Sequence, residues 1–170
     1  MYKNKELVIP FKGLSIGFHN YNFVINNSFF EDFEFTDIKR GSLNLSLSLE
    51  KESNLMRFDF HFTGNVWLNC DRCLEMYEQP LEGDFQLIVK YGELFREISD
   101  DMIELPFTES RLDLGQYVYE YINLLLPIKH VHPDDENGIS TCNPEMLKKL
   151  EETASPKVDP RWEELKKLKK

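Results

Sequence analysis

No stretch of this sequence stays apolar for the ~18–20 residues that a bilayer-spanning helix needs. The longest apolar run, Ile122 to Ile128, is broken by Asn123 and Pro127. The opening residues, Met1-Tyr2-Lys3-Asn4-Lys5-Glu6, carry neither an apolar signal core nor a cleavage site. A cytoplasmic protein without a membrane partner is expected. Cysteine is scarce. There are three, an odd number, and two are three positions apart, a pattern that in a reducing compartment argues for metal binding or free thiols over a disulfide framework. Positive charge is also short: 20 Lys and Arg against 30 Asp and Glu give a net charge of −10. Sequence-independent binding to nucleic acid rests on cations neutralising phosphates, so DNA is not expected as a partner. The chain has no Gly-rich phosphate loop and no Gly-x-Ser-x-Gly elbow. Nothing groups a nucleophile, a base and an orienting residue, so no enzymatic activity is expected. Asp100 and Asp101 are adjacent and point apart in an extended chain, and His19 and His61 sit in strand-like segments as surface residues.

What the chain has in quantity is phenylalanine, 13 residues, which suits pleated, half-buried surfaces. Leu43, Leu45, Leu47 and Leu49 alternate with polar residues, as do Met56, Phe58, Phe60 and Phe62. This is strict period two, and the short polar link Lys51 to Asn54 makes the two runs an antiparallel hairpin. A four-residue link is too short for a parallel crossover. Gly64 precedes a further segment, Val66 to Cys70, and Phe85, Leu87, Val89 and Tyr91 form another strand closed by Gly92. Glu93 to Asp113 holds seven acidic and two basic residues with scattered apolar ones, and reads as an irregular or partly extended insertion. Leu114, Val118, Ile122 and Leu125 lie on one helical face, with Asp113 as a cap and Pro127 as a stop. Beyond a polar linker, Asn143-Pro144-Glu145 and Asp159-Pro160-Arg161 each open as short helices do, with a capping residue and then Pro at the first helical position. The predicted class is α+β: an antiparallel, sheet-rich core over residues 1–132 with a helix at about 114–126, then a linker and short C-terminal helices over 133–170 that pack on the core or on a partner.

The strongest chemical signal is Cys70-x-x-Cys73 at the end of a strand. A tight turn brings two thiolates to one side, as a tetrahedral metal site requires. The pair is half a site. His132 and Cys142 would complete a Cys3His set, suited to zinc, if the linker folds back over the sheet. Taken alone, the motif is more simply a pair of reduced thiols at a turn, with Cys142 unrelated. A thioredoxin-like redox role expects the motif between a strand and a helix, whereas here Pro80 and another strand follow. Basic charge gathers at the end of the chain: Lys157 to Lys170 carries +3, leaving −13 on the other 156 residues. Arg161, Trp162, Lys166, Lys167, Lys169 and Lys170 are thus the available RNA-contacting residues, although a solvated helix end explains them too. Trp162, Leu165 and Leu168 form an apolar stripe that must dock on the body of the chain or on a partner.

Three blocks in order resemble the YceD family of large ribosomal RNA subunit accumulation proteins. The first is Val66-Trp67-Leu68-Asn69-Cys70-Asp71-Arg72-Cys73-Leu74, followed by Pro80-Leu81 and Phe85. The second is Leu126-Pro127-Ile128-Lys129-His130-Val131-His132 with Cys142, and the third is Asp159-Pro160-Arg161-Trp162-Glu163-Glu164-Leu165. The resemblance spans Val66 to Lys170. It implies a non-enzymatic ribosome-biogenesis factor that supports processing or accumulation of large-subunit ribosomal RNA. The acidity of the body points to contact with pre-ribosomal particles chiefly through basic ribosomal proteins. The resemblance also favours grouping Cys70, Cys73, His132 and Cys142. Arg72, charged and at a turn with no role in a metal site, is the binding residue to test within the motif. The alternative function is a structural zinc-binding interaction protein unrelated to ribosomes.

Overall fold

Alternation of apolar and polar side chains decides the architecture. In the computed structural model, which describes residues 7–34 and 36–154, the two alternating runs form β3 (Arg40–Lys51) and β4 (Leu55–Asn69). They pair antiparallel, setting Leu45 opposite Phe62, Leu47 opposite Phe60 and Leu49 opposite Phe58. All six are buried. Directly opposed residues share a face, so this register puts one continuous apolar surface on one side of the sheet. Each fully buried Phe or Leu contributes about 1.5–3 kcal/mol relative to exposure.

β2 (Gly17–Ile25) joins β3 on one side, and β5 (Met76–Gly92) joins β4 on the other, both antiparallel. β4 is one strand across Gly64, which has φ +147°; a Cβ there would come within 2.3 Å of the Ser42 carbonyl oxygen. Only glycine lets β3 and β4 approach at that point. Pro80 sits in the first half of β5, where the strand's other side is unpaired among the described residues, so its missing N–H costs no ladder bond.

The segment expected to be irregular or partly extended holds three strands: β6 (Arg96–Ser99), β7 (Met102–Pro106) and β8 (Leu112–Asp113). β7 pairs parallel with β5 and antiparallel with β6, giving a six-stranded sheet of order β2-β3-β4-β5-β7-β6. The antiparallel reading holds for the meander β2 to β5, and the parallel strand is an addition to it. The acidic residues had masked a short period-two pattern in which Ile103 and Leu105 reach the core. β8 pairs instead with β1 (Val8–Ile9) in a two-stranded sheet.

Two helices lie on the apolar face. α1 (Asn27–Glu31) is capped by the Asn26 side chain and lays Phe29 and Phe30 on β3. α2 (Gly115–Leu125) begins where the Asp113 carboxylate accepts the Gly115 N–H at 2.9 Å. It packs Val118, Tyr121 and Ile122 inward, with Tyr121 stacked on Phe85 at 4.5 Å and edge-on to Phe60 at 5.1 Å. α3 (Pro144–Ala154) starts as its sequence predicts, the Asn143 side chain accepting the Glu145 N–H at 2.9 Å. The other face of the sheet carries Asn20, Asn22, Ser46, Ser48, Asp59 and Asp84, with no layer over it among the described residues. No helix among the described residues is long and apolar enough to cross a membrane.

Candidate metal centre

The Cys-x-x-Cys motif is the turn of the β4–β5 hairpin, bounded by the opposed pair Asn69 and Met76. The turn is closed by its own backbone. Cys70 N–H donates to the Glu75 carbonyl at 2.9 Å and Leu74 N–H to the Cys70 carbonyl at 2.9 Å. Leu74 closes it with φ 63°, the left-handed conformation that costs an L-residue roughly 1–2 kcal/mol. The Arg72 N–H points at the Cys70 sulfur, 3.4 Å away.

The linker does fold back. Asp71 and His130 exchange two hydrogen bonds, Asp71 N–H to the His130 carbonyl at 2.6 Å and His130 N–H to an Asp71 carboxylate oxygen at 2.8 Å. This pins the linker beside the turn and delivers His132. The chain then makes a tight reversal, bridged between Asp134 and Ser140. The Asp135 carboxylate accepts the N–H groups of Ile139 and Asn137 there, and the Ile139 bond leads in holding its pKa below the usual carboxylate value. The reversal returns Cys142 to the site, and the Asn143 amide anchors to Glu75 at 2.7 Å.

Four ligand atoms therefore converge. Those of Cys70, Cys73, His132 and Cys142 all lie within 4.8 Å of one another. Cys70 Sγ is 3.6 Å from Cys142 Sγ, and His132 Nδ1 is 3.4 Å from Cys73 Sγ and 3.7 Å from Cys142 Sγ. A tetrahedral zinc with Zn–S bonds of ~2.3 Å and a Zn–N bond of ~2.0–2.1 Å sets its ligands ~3.5–3.8 Å apart. The donor set and spacing fit such an ion, with Nδ1 as the imidazole ligand. The sulfurs are much too far apart for a disulfide, whose bond is ~2.0 Å. Four protein donors fill a tetrahedral shell and leave no position for water or substrate, the arrangement of a structural site. The motif lies between two antiparallel strands, which is not the strand-to-helix setting of a thioredoxin-like pair.

The electrostatics are uneven. Burial opposes the Cys70 thiolate, but the backbone N–H groups of Cys73 and Arg72, together with His132, outweigh it and bring the thiol down to about 6. Burial pushes Cys73 up, and the neighbouring Cys70 adds to this. The fold thus favours the thiolate at Cys70 and opposes it at Cys73. Tyr77 lies against the site, its ring 5.2 Å from that of His132; burial first, then the Cys70 and Asp71 charges, raise its pKa.

Arg72 is exposed on the outside of the turn. Arg161, Trp162, Lys166, Lys167, Lys169 and Lys170 lie outside the described residues. Sequence reasoning did not single out Asp71, His130, Asn143 or Glu75 as holding the site together. Their partners are 59 and 68 positions apart, and neither spacing carries a local signal.

In comparison with known proteins, the model of the family described as large ribosomal RNA subunit accumulation protein YceD matches residues 58–169, well over half of the chain. That range contains all four ligands. No curated protein and no solved structure matches.

Proposed function

Because the chain belongs to the YceD family, we propose that it is a non-enzymatic factor in assembly of the large ribosomal subunit. It acts in the cytoplasm to support processing or accumulation of large-subunit ribosomal RNA. The family match carries this reading. The cysteine and histidine cluster adds a structural role for zinc, held by Cys70, Cys73, Cys142 and His132, which would fix the β4–β5 turn to the segment before α3. A net charge of −10 favours contact with pre-ribosomal particles through basic ribosomal proteins over contact with bare RNA.

The test is depletion in the cell of origin, followed by quantification of large-subunit precursor RNA and subunit profiles. Precursor accumulation and fewer large subunits are expected, and normal RNA with normal profiles rejects the proposal. Complementation with Arg72→Ala should leave protein level unchanged and fail to restore RNA if Arg72 contacts the particle. The ligand cluster also supports a second reading, a zinc-stabilised interaction protein unrelated to ribosomes. Stoichiometric zinc without any ribosomal phenotype would favour it.

A further inference from the structure

A second feature lies away from the metal centre. Between the helix-side face of β6 and α2 runs an open groove of about 900 Å³. Glu97 is paired with the buried Ile103 across β6 and β7, so its side chain is on the helix side of the sheet. Tyr117 and Tyr121 line the groove from α2, Leu124 and Ile98 add apolar wall, and Glu97, Asp100 and Glu120 supply carboxylates. Among the described residues, no Lys or Arg lines it. The nearby Arg96 is turned to the other face and bound to Glu104 at 2.6 Å. Among the described residues β6 is the last strand of its sheet, so the groove is open lengthwise along that edge.

This chemistry repels phosphate and suits a cation. A metal ion is a poor occupant: among the described residues, the four of the metal centre are the only group of three or more His, Cys, Asp and Glu side chains close enough to share one. The groove's carboxylates come from both of its walls, Glu97 and Asp100 on the β6 side and Glu120 on α2, and match charges spread along a flexible chain. The tyrosine rings give a planar guanidinium faces to stack on, which an ammonium uses less well. Burial raises the Tyr117 pKa, and the Glu97 and Glu120 charges raise it further, consistent with carboxylates close to the ring.

We propose that this groove binds an extended, arginine-bearing segment of a partner protein, with guanidinium groups against Tyr117 and between the carboxylates of Glu97 and Glu120. The proposal rests on the reading that basic ribosomal proteins are the partners, and it names the surface they would use.

The full chain is titrated by fluorescence anisotropy with a labelled, unstructured peptide carrying arginine at alternate positions. Matched peptides carry lysine or glutamine instead. Binding in the order arginine, lysine, glutamine is expected, with the double variant Glu97→Gln/Glu120→Gln weaker by about tenfold. Tyr117→Leu keeps an apolar side chain and should abolish the preference for arginine over lysine. Asp59→Asn/Asp84→Asn, on the opposite face, should change nothing. Thermal melts check that each variant is folded. Equal weakening by both carboxamide pairs, no arginine preference, or binding of spermidine but not of peptide overturns the proposal. So does a dimer in sedimentation that Glu97→Gln/Glu120→Gln disrupts, since the occupant is then a second copy. These experiments read the groove without ribosomes, and depletion reads the ribosomal role without the groove, so either can fail alone.

Discussion

Leu74 shows how much a single residue can reveal. It is 69% exposed and holds a left-handed backbone at φ 63°. Glycine adopts that conformation without steric cost, so Leu74→Gly should stabilise the fold by about 0.5–1 kcal/mol in urea unfolding, after allowing for glycine's greater freedom in the unfolded chain. A stable wild type and a weaker glycine variant would mean that the leucine side chain packs against something that stabilises the turn. The ligands make the opposite prediction. Purified protein should carry about one zinc per chain, and Cys142→Ser should lose it and unfold at lower denaturant, read by elemental analysis and circular dichroism on the same sample. Cys70 and Cys73 were legible as a half-site in the sequence because they are local. His132 and Cys142 were legible only as chemistry of the right type. Their convergence depends on the Asp71–His130 contact and on the reversal at Asp134 to Ser140, which no spacing rule encodes.

At the scale of elements, alternation foretold β3, β4 and the second half of β5 because their inward residues are mostly apolar and most of their outward ones polar, with Leu55, Trp67 and Ile88 as outward exceptions. α2 was legible for the same reason, with period 3.6 in place of two. β6 and β7 were hidden because they are short, lie within an acidic segment, and bury only Ile103 and Leu105 deeply. Gly64 stood out only as a glycine between two strand-like runs, yet the backbone of β3 leaves no room there for a side chain. Gly64→Ala should cost about 2 kcal/mol or more, since the new Cβ meets backbone that cannot step aside. α2 also brings a pH dependence. Burial, followed by the nearby Tyr117, Glu120 and Asp101, pushes the Tyr121 phenol up to about 12. A folded pKa above the unfolded value of about 10 favours the native state while the group is protonated. Its contribution is complete below pH ~10 and disappears as pH rises toward ~12. Urea unfolding at pH 9 and pH 11 should show the loss, and Tyr121→Phe should reduce it.

For the whole molecule, charge sets the expected behaviour. With −10 overall, the purified chain should bind naked large-subunit ribosomal RNA no tighter than the micromolar range typical of non-specific contact at physiological salt. Filter binding checks this. If binding is tight, removing residues 157–170, the one basic stretch, separates RNA held by the tail from RNA held by the body. The sheet is helix-covered on one side and polar on the other, so its two faces offer different surfaces. The family match begins at residue 58, inside β4, although β2 and β3 complete the same core.

The Cys70–Cys142 contact joins residues 72 positions apart in the chain. An ion shared between them would turn everything from β5 to the start of α3 into a closed ring, threaded through the sheet by β5 and β7. Such a clasp restricts the unfolded chain as a cross-link does, by an amount that grows with the logarithm of the ring's length. The groove between β6 and α2 lies inside that ring. Metal supply would then govern how long a partner-binding surface survives proteolysis, even though the ion never touches it.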